Sequence, residues 1–520
     1  MKPDDSGGRA DGGHDNESGT LDHRAIMALL FAGGLAISAF TIRRGVEPFD
    51  QGLTLQAARR VAEGQVPYRD FLWPYGPALP YLLAGSFKAF GTSLMWWRIL
   101  RSLVDAGVAL VVYVLIRRSA PWWLSLAVWL TVACAMAQPT GANPFAPALL
   151  LALLALLAAR SSSSRWPAVA AGALCGAAGA FRIDFGVYAL VAVLVAVAVA
   201  APARAGAARA CAAVAGGFAA VAALVYLPFV ILDGPAEAWR DVVGRSLRDG
   251  RYWRLPFPID YDGPFRSLKD AKHLLQFYVP VVLLIGLALV LLALVLRRTR
   301  PRADVAGLVV LAAGFVAYLL SRTDEFHWAP LLVAIAALVA LVAPHAPRAP
   351  AVAMLVVLAA LLAYGAGNRL SALVRPPAMA PLHVAVADGV EAPPSEAHAI
   401  DAMVRAVQRR VPPHDPIYTI TRRSDLVRIN DPLIYVLTER DNPARQDFGL
   451  QTGAPAQRAI VAVLERSRPR VIVRWTDPIS VVREPNARGR PTGIHIVDRW
   501  VAAHYRLAER HGYYDVLVLR

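Results

Sequence analysis

Lysine and cysteine are both scarce in this chain. Its 520 residues include only four lysines and three cysteines. The cysteines, Cys134, Cys175 and Cys211, all fall inside apolar runs without metal-ligand spacing, which is typical of small buried side chains. We therefore expect no disulfide framework and no cysteine-based metal site.

The short motifs of nucleotide chemistry and hydrolysis are also missing. The sequence contains no glycine-rich phosphate loop, no GxSxG, no HExxH and no CxxC pair. Nucleotide-sugar chemistry on a Rossmann domain is therefore not indicated. The formal net charge of +16 comes almost wholly from arginine in an alanine- and arginine-rich chain, so it does not by itself predict a nucleic-acid partner.

Apolar residues, in contrast, are abundant. Hydrophobic residues make up 56% of the chain and its mean hydropathy is +0.44, whereas soluble domains contain about 45–50% apolar residues. A membrane span needs about twenty apolar residues. We predict a polytopic α-helical membrane protein with about eleven transmembrane helices. The predicted spans lie near residues 25–42, 94–116, 121–138, 144–159, 166–181, 185–201, 211–232, 276–296, 304–320, 328–343 and 350–367.

The turns between these spans alternate in kind. One set is short and basic, and the positive-inside rule places it in the cytoplasm. Its members are Arg117-Arg118, Arg160 to Arg165, Arg204 to Arg209, Arg297 to Arg302, and His345 to Arg348. The other set mixes acids and aromatic residues with arginine and is expected outside, although Arg43-Arg44 is a local exception. With the N-terminus in the cytoplasm, an odd number of spans places the C-terminal domain on the outer face of the inner (plasma) membrane.

The domain boundaries follow from changes in composition. Residues 1–24 have no periodicity and are expected to form a disordered cytoplasmic tail, followed by a transmembrane domain over 25–368 whose first outer loop is 43–93. A proline-rich linker covers 369–394. Residues 395–520 alternate helical and strand-like segments and are predicted to form a soluble α/β domain with some parallel pairing.

Three helices and three strands are predicted in this C-terminal domain. The helices are Ser395 to Val411, Pro455 to Arg466 and Val497 to His511, and the strands are Pro416 to Thr421, Arg470 to Trp475 and Tyr514 to Leu519. Leu437 to Pro443 is read as a polar loop that binds an acceptor, caps the membrane cavity or is a plain surface loop.

The first outer loop carries two carboxylates, Asp50 and Asp70. Asp50 precedes an amphipathic stretch in which Leu53, Ala57, Val61 and Ala62 are expected to face lipid and Arg59, Arg60 and Glu63 to face water. Further on, residues 74–90 contain three prolines, and we interpret them as helices lying at the interface rather than as a span. A crossing there would place every basic loop outside.

This loop resembles a known family. The acid after the first span, a short helix ending at Gly64, PYRDF, a Gly-Pro before an aromatic interfacial helix, Phe90-Gly91 and Arg98 are together similar to the first outer loop of GT-C glycosyltransferases. The resemblance is to bacterial enzymes related to protein mannosyltransferases and the lipid A aminoarabinose transferase. It implies sugar transfer from a polyprenyl-phosphate carrier to an acceptor outside, with inversion. It also implies that the first-loop acid acts as the catalytic base or orients the acceptor nucleophile.

The resemblance makes Asp50 the candidate base, because a carboxylate can take the proton of an attacking hydroxyl. The alternative role for Asp50 is an interfacial helix cap. Asp70 is a second catalytic candidate, although an adjacent arginine and aspartate in a turn often form only a local salt bridge.

Arginines on the outer turns are candidates for the donor phosphate, which guanidinium groups grip with two hydrogen bonds. Arg182, Arg322 and His327 are the candidates for binding this phosphate. Further cavity residues are Asp184, Asp324 and Tyr75. Each arginine is alternatively a snorkelling anchor. His327 has no paired histidine at helical spacing, so its position does not support a divalent metal site, and the identity of any cofactor stays open.

In the outer segment 233–272, Arg251, Tyr252 and Trp253 suit a sugar or lipid headgroup, or form a structured linker.

The expected partners are thus a polyprenyl-phosphate sugar, a glycan, lipid or protein acceptor, and membrane lipid. Two other classes remain open: a multispan transporter or lipid flippase, and a membrane anchor displaying a binding domain. Transporters usually carry internal repeats, broken helices and charges at the midplane, whereas charges here cluster at the outer helix ends. An anchor would not need eleven helices.

Overall fold

A computed structural model describes residues 23–161, 165–244, 254–255, 257, 266–297, 302–426, 430–447, 453–484, 486 and 488–520. The predicted disordered tail, apart from its last two residues, and the Arg251 to Trp253 segment lie outside these residues. The N-terminal helices are α1 (His23–Ala39), α2 (Asp50–Ala62), α3 (Ala78–Phe90), α4 (Met95–Ile116), α5 (Trp122–Met136), α6 (Phe145–Ala159), α7 (Arg165–Phe181), α8 (Ile183–Ala200), α9 (Arg204–Asp233), α10 (Pro235–Trp239), α11 (Leu268–Arg297), α12 (Ala303–Ser321), α13 (Glu325–Val342) and α14 (Arg348–Val374).

Each of the eleven predicted spans falls on one of these helices. Within the described residues, seven helices are long and apolar enough to cross a bilayer: α4, α8, α9, α11 from Gln276, α12, α13 and α14. The apolar helices α1, α5 and α6 are shorter. The chain is therefore a mostly helical membrane protein, and the number of crossings stays a prediction.

Aliphatic and aromatic side chains form the main core of the membrane part. Helix α13 is buried from Trp328 to Val342, so the other helices surround it. Helices α7 and α9 approach closely because glycine replaces a side chain at their contact. A Cβ at Gly172 would lie 1.9 Å from the Val214 carbonyl oxygen, and one at Gly217 would lie 2.2 Å from that of Val169.

The prediction that α2 lies at the interface, with one face in lipid and the other in water, is wrong. Every residue from Gln51 to Val61 is buried, including Arg59 and Arg60. Helix α2 is enclosed between α3 and the C-terminal domain. Its polar face meets polar groups of that domain rather than solvent.

The C-terminal domain is an α/β layer as predicted. Its helices are α15 (Pro394–Gln408), α16 (Leu433–Thr438), α17 (Ala454–Ser467) and α18 (Ile496–His504), and its sheet contains β3 (Tyr418–Thr421), β4 (Val471–Trp475), β5 (Tyr505–His511) and β6 (Tyr514–Leu519). The order is β3-β4-β6-β5, with β3 and β4 parallel and the other pairs antiparallel.

The prediction of a helix that continues to His511 is wrong. The observed helix α18 ends at His504, and the hairpin of β5 and β6 follows, with Gly512 in its turn. The predicted loop at Leu437 begins inside α16.

The predicted linker is an ordered junction rather than a tether. Helix α14 continues to Val374, beyond the predicted boundary at residue 369, and then β1 (Ala380–Pro381) pairs with β2 (Glu391–Ala392). The Gly45 amide donates to the Glu391 carbonyl and the Glu391 amide to the Arg43 carbonyl, at 2.7 Å each. The first outer loop is therefore hydrogen-bonded to the chain that leads into the C-terminal domain.

Two arginines of α2 connect the loop to the domain itself. Arg59 donates to the Arg440 carbonyl at 2.6 Å and to the Asp441 carboxylate at 2.5 Å. Arg60 forms a buried ion pair with Asp447 at 2.8 Å. Leu55 and Ala58 of α2 share one apolar core with residues of α15, α16 and the sheet. These contacts fix the end of the membrane part that carries Asp50.

Candidate functional site

Asp50 is the first residue of α2, and the preceding residues hold it in place. The Glu47 carboxylate accepts hydrogen bonds from the amides of Phe49 at 2.9 Å and Gln51 at 2.5 Å, and so caps the first turn. Arg98 of α4 donates to the Gly45 carbonyl at 2.7 Å and to Gln51 Oε1 at 3.1 Å. The backbone on both sides of Asp50 is therefore fixed.

The turn between α7 and α8 supplies Arg182. Its Nε and Nη2 donate to the two Asp184 carboxylate oxygens at 3.0 and 2.8 Å. Its Nη1 donates to Asn143 Oδ1 at 3.0 Å and to the Tyr318 hydroxyl at 3.2 Å. The guanidinium also lies 5.2 Å from the centre of the Tyr75 ring. Arg182 is thus held on several sides.

The turn between α12 and α13 supplies Arg322, Asp324 and His327. Arg322 Nε donates to Asp324 at 2.5 Å, and the same carboxylate accepts from the His327 amide and lies 2.5 Å from His327 Nδ1. Asp324 is the N-cap of α13, which explains its link to an amide three residues on. The ring of His327 lies 4.4 Å from that of Tyr318, so Tyr318 joins the two arginine turns.

The charged groups of both arginine turns act on Asp50. Burial, followed by Asp324, raises the pKa of Asp50 to about 6, while His327, Arg322 and Arg182 act to lower it. Burial and then Asp50 raise the pKa of Glu47 to about 8, and the same two causes raise the pKa of Tyr75. Asp50 remains partly accessible in the structure.

The C-terminal domain also reaches this cluster, through Glu484. Its carboxylate accepts two hydrogen bonds from Arg322, at 3.0 and 2.9 Å, and one from Arg488 at 2.5 Å. Although burial acts to raise it, the pKa of Glu484 is held below its usual range by Arg322 and Arg488. The arginine predicted to grip a phosphate therefore already holds a carboxylate of the other domain.

Most of the residues predicted from the sequence come together in this cluster. They are Asp50, Tyr75, Arg182, Asp184, Arg322, Asp324 and His327. Asp70 is placed apart: it pairs with Arg69 at 2.9 Å and accepts from the Val66 amide. Its pKa is lowered by the hydrogen bond from Arg69.

Sequence reasoning missed Glu47, Asn143, Tyr318 and Glu484. Glu47 had a detectable signal, because an acid three residues before Asp50 is suited to cap the same helix. Tyr318 falls one helical turn before Arg322 within an apolar run. Glu484 lies in an arginine-rich loop 162 residues beyond Arg322, and no local pattern connects the two.

Within the described part of the chain, the side chains spaced for a metal ion lie elsewhere. Glu63, His414 and Asp441 place their ligand atoms within 4.8 Å of one another. Arg59 contacts Glu63 at 2.9 Å and Asp441 at 2.5 Å, so a positive charge already serves both acids. This grouping joins α2 to the C-terminal domain and is distinct from His327.

Comparisons with known proteins locate this geometry in an established fold. No protein-family description matches the sequence, and no curated protein is similar to it in sequence. The structure of ArnT from Cupriavidus metallidurans in the apo state is similar with a TM-score of 0.54 and 15% identity, over 95% of this chain and 98% of that one. The structure of the same protein bound to undecaprenyl phosphate gives 0.53 and 14%, over 95% and 98%.

A mycobacterial protein shares the architecture in part. The arabinofuranosyltransferase AftD is similar with a TM-score of 0.50 and 14% identity, over 96% of this chain and 40% of that one. At 14–15% sequence identity, these similarities are evidence for a shared fold only. The chain has the GT-C fold, with its membrane helices and a smaller C-terminal domain.

Proposed function

We propose that this protein transfers a sugar from a polyprenyl-phosphate-linked donor to an acceptor on the outer face of the cytoplasmic membrane, with Asp50 as the base. One observation carries the proposal. In a chain with the GT-C fold, a partly accessible carboxylate lies among two arginines and a histidine, on the loop where the sequence resembles the catalytic loop of these enzymes. ArnT, one of its structural neighbours, has been solved with undecaprenyl phosphate.

The reaction needs only groups of this kind. An acceptor hydroxyl attacks the anomeric carbon, a new carbon–oxygen bond forms, and the bond from that carbon to the phosphate oxygen breaks. The electron pair of the broken bond stays on the carrier phosphate, and the hydroxyl proton goes to Asp50. A single displacement of this kind inverts the anomeric centre.

Asp50 is the acid best suited to accept the proton. Asp184 and Asp324 are tied to arginine or histidine, whereas in the described part of the chain the Asp50 carboxylate accepts no hydrogen bond. A pKa of about 6 leaves it ionised at pH 7 while making it a stronger base than an ordinary aspartate. Its lone pairs are therefore available to an acceptor.

Arg182 and Arg322 are the proposed partners of the donor phosphate. Both guanidinium groups are held in fixed orientation by carboxylates before any substrate is bound. Charge builds on the phosphate as the sugar leaves, and fixed cations stabilise that charge without reorganising. In the proposed complex, phosphate oxygens share or replace the contacts of Arg322 with Glu484.

The proposed location follows from the arginine distribution. The basic turns Arg117-Arg118 and Arg204 to Arg209 are placed in the cytoplasm. The first loop, the turns at Arg182 and Arg322, and the C-terminal domain contact one another, so they share one side, which we infer to be the outside. The membrane is proposed to be the inner (plasma) membrane.

A transfer assay tests the function directly. Purified protein is incubated with a panel of radiolabelled polyprenyl-phosphate sugars and envelope acceptors, and the release of carrier phosphate is followed. We expect one donor to yield free carrier phosphate and labelled acceptor in equal amounts. In proteoliposomes, movement of label across the bilayer with the sugar–phosphate bond intact would instead identify a flippase and refute the proposal.

A further inference from the structure

A recess lined by Glu47, Glu325 and Phe326 lies close to the Asp50 cluster. It consists of two cavities, of about 440 and 250 Å³, that share Ala137, Gln138, Glu325 and Arg369 in their walls. The walls come from the chain after α1, the end of α5, the start of α13 and the end of α14. We call this recess the α1/α14 groove.

Two arginines give the groove its charge. Arg44 and Arg369 both line its larger cavity, and their guanidinium carbons lie 5.8 and 4.3 Å from the centre of the same Phe40 ring. Among the described residues neither has a carboxylate within ion-pair distance, whereas Arg182 and Arg322 pair with acids. Two positive charges thus lie over one ring, and no ion pair with a described acid neutralises either of them.

The hydrogen bonds of these arginines go to neutral groups. Arg369 donates to the carbonyls of Ala137 at 2.8 Å and Ile37 at 2.9 Å and to the Thr41 hydroxyl, and Arg44 donates to the Ala372 carbonyl at 2.7 Å. Carbonyls at the C-terminal ends of helices carry only partial negative charge. These bonds therefore orient the guanidinium groups but do not neutralise them.

Two acids also line the groove, and they do not cancel this charge. Glu47 caps α2, and burial, then Asp50, raise its pKa to about 8, so it is mainly protonated at pH 7. Glu325 is the other acid, set against two arginines. Among the described residues that line the groove, two arginines therefore stand against at most one charged acid at neutral pH.

Two buried nitrogen atoms at the groove have no acceptor. Gln138 Nε2 and Arg369 Nε each lack a hydrogen-bond partner in the part of the chain that the structure describes. Buried donors in native proteins are usually satisfied, and an unsatisfied one requires an explanation. A bound anion is a ligand that would draw on both side chains.

The surroundings indicate where such an anion comes from. Leu370 and Leu373, on the same last turns of α14 as Arg369, are exposed by 60% and 61%. Exposed leucines on a membrane helix face acyl chains. Phosphate groups of lipids lie at the boundary between such apolar surface and the polar residues of the groove, where guanidinium groups are suited to bind them.

We propose that the α1/α14 groove binds the phosphate headgroup of an anionic membrane lipid through Arg44 and Arg369. The acyl chains of the lipid lie along the exposed leucines of α14. Guanidinium groups match phosphate oxygens with paired, charge-assisted hydrogen bonds. The proposal concerns binding and does not depend on sugar transfer.

The test is a binding titration of delipidated full-length protein in neutral detergent. The ligands are dioctanoyl-phosphatidylglycerol, dioctanoylglycerol with the same chains but no phosphate, and inorganic phosphate, and native mass spectrometry counts the bound molecules. We expect saturable binding of the phosphatidylglycerol, and binding of dioctanoylglycerol and of phosphate that is weaker by about ten-fold or more. Equal binding of the two lipids, or equal binding of free phosphate, would refute a lipid-phosphate site.

Three variants localise the site. Arg44→Gln and Arg369→Gln are expected to weaken phosphatidylglycerol binding by about ten-fold or more, because each removes a charged donor. Arg375→Gln removes the same charge from an exposed position at the end of α14 and should change affinity by less than about two-fold. Because Arg369 also ties three segments together, Arg44→Gln decides the result if Arg369→Gln does not fold. An equal effect of Arg44→Gln and Arg375→Gln would show only a diffuse surface attraction.

Discussion

At the scale of single residues, the acids near Asp50 differ in what holds them. Asp184 and Asp324 are fixed by arginine or histidine, and Glu47 by two backbone amides, whereas burial and the nearby charges alone determine the pKa of Asp50. A group without a hydrogen-bond donor of its own keeps its lone pairs available for a substrate proton. This difference makes Asp50 the residue on which the proposed chemistry depends most.

Replacing Asp50 by Asn should abolish transfer and leave donor binding nearly intact. The amide keeps the volume but cannot accept the proton, and a general base contributes about 10²–10⁴-fold to rate. Turnover and donor affinity are measured on the same preparation. Asp70→Asn is the comparison, because Asp70 lies in an exposed ion pair away from the cluster. More than about a tenth of wild-type turnover in Asp50→Asn would exclude Asp50 as the base.

The pH profile offers a second measurement on the same residue. Burial raises the pKa of Asp50 to about 6, and the ionised form is the active base. Turnover should therefore fall as pH decreases through about 6 and level off above it. An acid limb near 4, where an unperturbed aspartate titrates, would contradict the buried environment of Asp50.

Exchanging the arginines for lysine separates donor binding from chemistry. Arg182→Lys and Arg322→Lys keep the charge but lose the two-pronged hydrogen bonding, so donor KM or Kd should rise by about ten-fold or more. An anchor that only snorkels would tolerate either exchange. Arg69→Lys, in the exposed turn of Asp70, is the matched control. Unchanged donor affinity in both variants would remove these arginines from the site.

At the scale of elements, the sequence predicts the wrong environment for helix α2. Its apolar and basic residues have helical spacing, and from the sequence alone that pattern indicates a helix between lipid and water. In the structure the basic face is buried against Asp441 and Asp447 of the C-terminal domain. Amphipathic spacing predicts that a helix has an apolar face and a polar face, but it does not predict what packs against each face.

Gly52→Ala tests the packing of α2 on the C-terminal domain. A Cβ at Gly52 would lie 2.6 Å from the Leu433 amide nitrogen and 3.1 Å from its Cα, and backbone cannot move aside easily. We expect a loss of about 1–3 kcal/mol in the free energy of unfolding of this junction. Thermal unfolding and protease release of the C-terminal domain measure the effect.

Gly85→Ala in α3 is the control for that variant. Nothing lies within 4 Å of a Cβ added at Gly85, and alanine favours a helix interior, so stability should be unchanged or slightly higher. Equal destabilisation by both substitutions would show that the contact with Leu433 is not the cause.

The sequence predicts local features well and distant pairings poorly. The helix positions, the three strands and the two arginine turns follow from hydropathy and charge within short windows. The sequence predicts helix instead of strand β5 because the alternation of apolar and polar residues in Tyr505 to His511 stops after Leu507. The pairing of Glu484 with Arg322 and the burial of Arg60 depend on contacts across 162 and 387 residues.

At the scale of the whole molecule, the contacts set a condition on topology. The first loop, the Arg182 and Arg322 turns and the C-terminal domain meet in one assembly, so all must lie on one side of the membrane. An even number of crossings must therefore separate the first loop from residue 520. The eleven-span prediction satisfies this condition.

Reporter fusions test the topology. Fusions after Arg118, Arg165, Arg209 and Arg302 should report the cytoplasm, and fusions after Gln138, Asp260 and Arg520 the outside, because arginine-rich turns stay inside. A cytoplasmic signal at Arg520 would contradict the odd number of spans. A cytoplasmic signal at Gln138 would instead show that residues 74–90 cross the membrane.

The burial of α2 also imposes an order on biosynthesis. Arg60 is translated 384 to 387 residues before Ala444 and Asp447, its partners. At about 5–20 residues per second, roughly 20–80 s pass between the synthesis of helix and partner. During this interval the amphipathic helix has no domain to cover it, and the bilayer surface is the environment that its pattern of residues fits. We expect a cysteine placed at Arg60 to be accessible to an impermeant thiol reagent in nascent chains that stop before residue 440, and to become protected once translation is complete.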